Sequence, residues 1–315
     1  MSGLLPNALV AADNPLVFLE RIPDDSAAIV YLDPPQSYGY DEARAEQLSK
    51  VLQQARRILR TNGNLFFYLT SSAVIEARFL IRQVLGGHGQ SSEYLLQGAA
   101  AHTSNTRRGG GRDVVLHYPM SEESIYNRQT KPIPDKRKAR YQLEDEQGKY
   151  LTQDLTAPFD RPNLQCQFRD YQLPDGRSWR FSREAMEELA DQGQIDFSGS
   201  GLPRLKRYLS EAKPTPVGLD WTDLTSSRAK IQDPEVGELL SFESPGLVER
   251  VILTGSDEDD TVVAPYGDFG LFALTAHRLS RKWIAHTGNE GLPIVKRRIQ
   301  REVNESDYVV HSEDE

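Results

Sequence analysis

A single cysteine, Cys166, in 315 residues excludes an intramolecular disulfide and a cysteine-rich metal framework. The expected compartment is therefore the reducing cytoplasm. No apolar stretch reaches membrane-spanning length, and no basic segment followed by an apolar one opens the chain, so neither a membrane span nor a secretory signal is expected. His102, His117 and His286 show no metal-ligand spacing, and no metal site is expected. Basic residues are in deficit too: 37 Lys and Arg stand against 46 Asp and Glu, a formal charge of -9. That balance excludes phosphate binding as a property of the whole surface, because neutralising phosphates takes clustered cations. One basic face is still allowed. Acids gather at 257–260 and 312–315, whereas Arg107, Arg108, Arg112, Lys131, Lys136, Arg137, Lys138 and Arg140 lie elsewhere.

With 38% hydrophobic and 26% charged residues, the chain reads as soluble and globular, long enough for one large domain with an insertion or two modest domains. Over 16–118, strand-like and helix-like patterns alternate, which is the signature of βαβ units and a parallel sheet. The apolar run 27–32 predicts a strand. Asp41 would cap a helix through Leu48, Val51, Leu52, Ala55 and Leu59 that stops at Asn62-Gly63. A strand over 64–69 follows, then a helix with Ile75, Phe79, Leu80 and Leu85 on its apolar face, ending at Gly86-Gly87. Residues 94–96 and 114–118 read as an antiparallel edge pair around a Gly- and Arg-rich loop. Residues 119–232 break the alternation with prolines and polar clusters and predict an inserted region, in which Trp179 and Trp221 pack a core. From 233 to 301 the pattern resumes with a helix through Leu247, Val248, Val251 and Ile252, a strand at 261–263, a helix through Leu271, Leu274 and Leu279, and a strand at 283–285. The acidic stretch 302–315 reads as a frayed tail.

Asp33-Pro34-Pro35-Gln36 stands where the run 27–32 ends, so a carboxylate and two ring-locked carbonyls leave a strand end. Strand ends of open α/β sheets are where ligands bind. Proline fixes φ and has no N–H, which keeps its carbonyl available as an acceptor beside the Asp33 carboxylate. Such a cluster suits an exocyclic amino group. By itself, an Asp-Pro-Pro at this place is equally well explained as a rigid turn.

The tetrapeptide resembles the Asp-Pro-Pro-Tyr motif of amino-methylating DNA methyltransferases, in which carboxylate and carbonyl grip the amine of a flipped base and an aromatic stacks on it. Here Gln36 stands in the aromatic's place. The order of the pieces is similar to the permuted β class of that family, which includes type III modification subunits and site-specific adenine methyltransferases. In that class the catalytic strand comes first, a target-recognition region interrupts, and the cofactor strand comes last. Residues 7–14 and 19–26 resemble the family's opening. Tyr141 to Asp145, Asp154 to Pro158, Pro203 to Leu209 and Asp220 to Asp223 resemble its recognition region. Leu247 to Ile252, followed by Ala264-Pro265-Tyr266-Gly267-Asp268-Phe269-Gly270, overlays the family's Leu-Leu-Glu-Arg-Ile-Ile and Asp-Pro-Phe-x-Gly-x-Gly segments.

The resemblance implies a Rossmann-like α/β fold, mostly parallel with an antiparallel edge and an inserted target-recognition region. It also implies S-adenosylmethionine as cofactor, DNA as substrate, adenine N6 as target and a restriction-modification setting. Asp33, Pro34, Pro35 and Gln36 take the catalytic positions, and Ala264, Pro265, Tyr266, Asp268 and Gly270 the cofactor positions. Ala264 replaces the family's Asp and Asp268 its first glycine. A carboxylate at 268 would repel the cofactor's own, or would cap the following helix. Ala285-His286-Thr287 occupy the place of the acid that binds the ribose, with Glu290 nearby, and Ser241 to Pro245 replaces Thr-Gln-Lys-Pro. These departures predict weakened cofactor binding. Two expectations follow: a DNA methyltransferase, or a non-catalytic relative that binds DNA and joins a homo- or hetero-oligomer with an intact methyltransferase. Arg107, Arg108 and Arg112 fit phosphate contacts, with a solvated hairpin tip as the alternative.

Overall fold

The computed structural model describes residues 6–34, 42–86, 91–97, 113–197, 201–225, 230–240, 244–267 and 269–312. In chain order it begins with β1 (Ala8–Ala11), α1 (Pro15–Leu19), β2 (Ala27–Leu32), α2 (Glu42–Ile58), β3 (Leu59–Thr70), α3 (Val74–Leu85), β4 (Ser92–Gln97) and β5 (Asp113–Pro119). Short elements follow: β6 (Thr130–Lys131), α4 (Asp135–Lys138), β7 (Leu143–Asp145), β8 (Gly148–Asp154), β9 (Thr156–Ala157), β10 (Ser178–Trp179), α5 (Arg183–Asp191), β11 (Ile195–Asp196), β12 (Arg204–Tyr208) and β13 (Thr215–Pro216). Then come β14 (Asp220–Thr225), β15 (Lys230–Asp233), β16 (Gly237–Leu240), α6 (Pro245–Gly255), β17 (Thr261–Ala264), α7 (Leu271–Arg278), β18 (Lys282–Thr287), α8 (Leu292–Ile299) and β19 (Val309–Ser312). No helix among the described residues is long and apolar enough to cross a membrane.

The chain forms two compact units, Met1–Gln129 with Val217–Glu315, and Thr130–Pro216. The first is built on a sheet of order β14-β4-β5-β3-β2-β17-β18-β1-β19. Neighbours pair in parallel except at β5, which is antiparallel to both β3 and β4. β2 is apolar throughout because both of its faces are covered, as parallel sheets require. Ile29 and Tyr31 join the cluster containing Val248, Ile252 and Phe272, whereas Val30 and Leu32 join the cluster containing Val51, Leu52 and Ala55. The fold is therefore the expected α/β sandwich with helices on both faces.

Several local expectations give way to tertiary contacts. α2 stops at Ile58 rather than at Asn62-Gly63, because the amides of Asp25 and Ser26 take the Arg57 and Ile58 carbonyls (3.1 and 2.9 Å) and Leu59 pairs with Ala27. On α3 the buried residues are Ala77, Ile81 and Leu85, leaving Ile75 80% and Phe79 63% exposed. The tail is not frayed over its described part. β19 pairs in parallel with β1, and Val303 and Tyr308 are buried, so apolar residues spaced among the acids close the sheet edge. The antiparallel pair of β4 and β5 has β14 outside it. Residues on both sides of the second unit stay with the sheet: the amides of Met120, Ile125 and Asn127 bond to Gly63, Asn62 and Thr254 carbonyls. The compact unit is accordingly 130–216 rather than 119–232.

Trp221, Tyr94, His117 and Phe66 stand on four adjacent strands and stack in sequence, with centroid separations of 4.0, 5.9 and 4.4 Å. Asn64 orients the ladder. Its Nδ2 donates to the Ile125 and Gly255 carbonyls, so its Oδ1 must accept from His117 Nε2 (2.8 Å), which leaves His117 Nδ1 to accept from the Tyr94 hydroxyl (3.3 Å). Burial pushes His117 down from 6.5 to about 4. Above pH 6.5 both folded and unfolded imidazoles are neutral and the shift has no effect. Between 6.5 and about 4 only the unfolded chain takes up the proton, so stability falls with falling pH, by about 3 kcal/mol in full. Denaturant unfolding at a series of pH values should show this loss in the wild type and not in His117→Gln, which keeps a donor and an acceptor. Parallel pH profiles would contradict the assignment.

The second unit holds a four-stranded sheet, β11-β12-β8-β7, whose neighbours are antiparallel. Its core contains Leu155, Phe168, Trp179, Met186, Ile195 and Leu205. Trp179 Nε1 donates to the Cys166 carbonyl (2.8 Å), so the indole is buried with its polar atom satisfied. Ser182 caps α5 by accepting from the Ala185 amide.

Candidate functional site

The order of the strands reverses between β2 and β17. From β2 the chain passes through α2 to β3 on one side, and from β17 it passes through α7 to β18 on the other. The helices lie on opposite faces, because α2 packs in one core cluster and α7 in the other. Crossovers that diverge in this way leave a crevice at the carboxyl ends of the two strands. Adjacent strands lie ~4.8 Å apart, so the segments that leave β2 and β17 emerge side by side. Asp33 and Pro34 follow β2, both buried, with Asp33 8% exposed. Ala264, fully buried, ends β17, and Pro265 is buried behind it.

The turn after β17 is latched from two directions. The Gly267 amide donates to the His286 carbonyl of β18 and the Gly270 amide to the Gly267 carbonyl, both at 2.9 Å. The Arg298 guanidinium of α8 donates to the Phe269 carbonyl. Gly270 has φ +78°, and a Cβ there would sit 2.8 Å from Val295 Cγ1. A Cβ at Gly267 would sit 2.6 Å from the His286 carbonyl oxygen. Both glycines are thus demanded by close approach of the turn to the protein itself. Among the described residues no side chain caps α7, and the first-turn N–H groups of an uncapped helix are able to hold an anion. Tyr266 is half-buried against the cluster that contains α2.

At the next strand tip His286 and Thr287 are buried and Glu290 is exposed. His286 Nε2 donates to the Ala12 carbonyl (2.8 Å) and its ring stacks on Phe18 at 5.4 Å, so it ties β18 to the end of β1. Asp13 stands at that end, its Oδ1 accepting from Asn289 Nδ2 (3.0 Å), and Asn14 caps α1. This places a carboxylate beside the β18 tip that no reading of residues 285–290 finds. Its only sequence signal is Asp13-Asn14 in the opening segment. Arg298 was equally inconspicuous, one of three cations in the last turn of α8.

Ser244 is the buried N-cap of α6, with no side-chain capping bond. Pro35, Gln36, Tyr38, Tyr40, Asp268, Ser241, Phe242 and Glu243 lie outside the described residues, as do Arg107, Arg108 and Arg112. Among the described residues no group of His, Cys, Asp and Glu is arranged to hold a metal ion.

No family model matches the chain. Type II methyltransferase M.EcaI of Enterobacter cloacae is 24% identical over 305 residues, which span 90% of this chain and 67% of that protein. A DNA modification methylase from Thermus thermophilus superposes with a TM-score of 0.54 at 13% identity, covering 98% of this chain and all of the other. The same methylase complexed with S-adenosyl-L-methionine gives 0.53 at 13% identity over 97% of this chain and 99% of its own. The resemblance to DNA methyltransferases is supported by sequence similarity along most of the chain, and the α/β fold by these superpositions.

Proposed function

We propose that this chain is an S-adenosylmethionine-dependent DNA amino-methyltransferase of the adenine N6 type, with the target base turned out of the duplex into the crevice between the tips of β2 and β17. One observation carries the reading: segments from opposite ends of the chain, Asp33-Pro34 and the turn from Pro265 to Gly270, leave adjacent parallel strands at the reversal of strand order. Supporting it are the similarity to a type II methyltransferase and the superposition on a methylase that carries the cofactor.

The cofactor, when bound, supplies an electrophilic methyl group. Asp33 and the Pro34 carbonyl accept hydrogen bonds from the exocyclic amine and aim its lone pair at the reacting carbon. Asp33 need not be a strong base, because the amine becomes acidic only as it is methylated. The Gly270 turn and the N-terminus of α7 would hold the cofactor's carboxylate. Ala264 offers no carboxylate in return, so the backbone of the turn carries the polar contacts and the affinity is reduced. Gln36 supplies no aromatic stack, an interaction of ~1–3 kcal/mol per base in other sites.

The buried Ala264 methyl also favours a second reading, a non-catalytic DNA-binding relative that works beside an intact methyltransferase. Titration calorimetry with S-adenosylmethionine, followed by nucleoside analysis of duplex DNA incubated with both, decides between them. The expected result is saturable binding and N6-methyladenine in the product. DNA binding with no detectable cofactor binding would overturn the enzyme reading.

A further inference from the structure

The second unit carries a cleft of about 400 Å³ lined by Arg137, Tyr141, Arg207, Tyr208, Glu211 and Lys213. Arg137, Arg207 and Lys213 are exposed, whereas the Tyr141 and Tyr208 rings are buried beside them. Three cations and one carboxylate leave the cleft positive. The cations are also unspent. Among the described residues the side chains of Arg137 and Lys213 make no hydrogen bond or ion pair, and Arg207 Nε donates to the neutral Gln153 Oε1 (2.9 Å), which aims the guanidinium without neutralising it. Other cations of the same unit are paired instead, among them Lys206 with Asp145 (2.7 Å), Arg177 with Asp154 (2.8 Å) and Arg169 with Glu187 (3.0 Å).

The charge distribution points the same way. Residues 130–216 hold 15 Lys and Arg against 14 Asp and Glu in a chain of charge -9, so the acidic excess belongs to the other unit. Lys136 and Arg140, exposed on and after α4, extend the unpaired cations beyond the cleft. The Tyr208 hydroxyl is committed to Asp145 (2.9 Å), and the lining includes no Asn or Gln amide, so the cleft is equipped for anionic oxygens and poorly equipped to read base edges.

We infer that this cleft seats phosphodiester groups of duplex DNA and positions the duplex without regard to base sequence. The identity of the polyanion rests on the proposed function; the cleft and its unpaired cations do not.

The test is fluorescence anisotropy of the full chain with two unrelated labelled duplexes over a range of salt. Arg137→Ala with Arg207→Gln and Lys213→Ala should weaken both duplexes equally, by about 10–100-fold at low salt, and flatten the slope of log K against log salt by roughly two to three. Arg137→Ala alone removes one exposed, unpartnered side chain and should flatten it by about one, which keeps the test valid if the triple variant misfolds. Arg161→Ala with Arg183→Ala, exposed cations outside the cleft, should leave binding unchanged. Undiminished DNA affinity in the cleft variants overturns the inference and leaves the enzyme reading standing, since that reading is decided by cofactor binding and methyl transfer. Wild-type chain that binds duplex RNA or polyglutamate through this cleft, and not DNA, overturns the inference as well.

Discussion

Asp33→Ala is expected to lower methyl transfer to duplex DNA by ~10²–10³-fold, the usual cost of removing one preorganised group that contacts a reacting centre. The carboxylate is 8% exposed and leaves β2 at the reversal of strand order, and a buried polar group is not readily replaced by water. The loss should fall on the chemical step in single-turnover kinetics at saturating DNA, because the inferred phosphate contacts lie in the second unit and not at Asp33. Asp33→Asn separates orientation from charge. Its amide oxygen still accepts one hydrogen bond, so its rate should lie between wild type and alanine. A rate in Asp33→Ala equal to the wild type's would remove the residue from the reaction, and the Asp33-Pro34 segment would revert to the rigid-turn explanation.

Trp221→Ala is expected to cost about 3–5 kcal/mol of unfolding free energy, the range for emptying a buried Trp or Phe site. Trp221 is 2% exposed, stacks on Tyr94 at 4.0 Å and lies 5.5 Å under the Arg250 guanidinium. Arg250 of α6 is itself held by Asp223 on the same strand as Trp221, at 3.0 and 2.7 Å. One indole thus joins β14 to β4 and to a helix of the core cluster, at the strand with which the chain re-enters the sheet. Trp221→Phe keeps the stack and should cost less than half as much. Urea unfolding of both variants is the measurement, and a loss below about 1 kcal/mol for alanine would show that the ladder is incidental to stability.

Much of this was legible in the residues. The βαβ alternation, the strands covered on both faces and the carboxylate after Leu32 follow from local periodicity and proline chemistry, which act within a few residues of their cause. Where sequence reading failed, two local solutions were equally good. On α3, Ile75 and Phe79 lie at helical spacing as well as Ala77, Ile81 and Leu85 do, and only the neighbouring helix and sheet select the smaller set. In the tail, charge concealed Val303, Tyr308 and Val310, and β1 offered an open edge that no pattern within the tail announces. The 119–232 segment looked foreign from end to end, yet Trp221 belongs to the main sheet because Tyr94 and Leu96 complete its surroundings from far along the chain.

The sequence by itself determined that this is a twisted α/β protein with an inserted unit and an Asp-Pro pair at a strand tip. Only the tertiary structure decided that this tip stands beside the glycine turn of β17, that Asp13 supplies the carboxylate near β18, and that Arg137, Arg207 and Lys213 line one cleft of the second unit. The reason is physical: periodicity reports which face of an element is buried, but not which distant element buries it, and a binding site is made of just those distant neighbours.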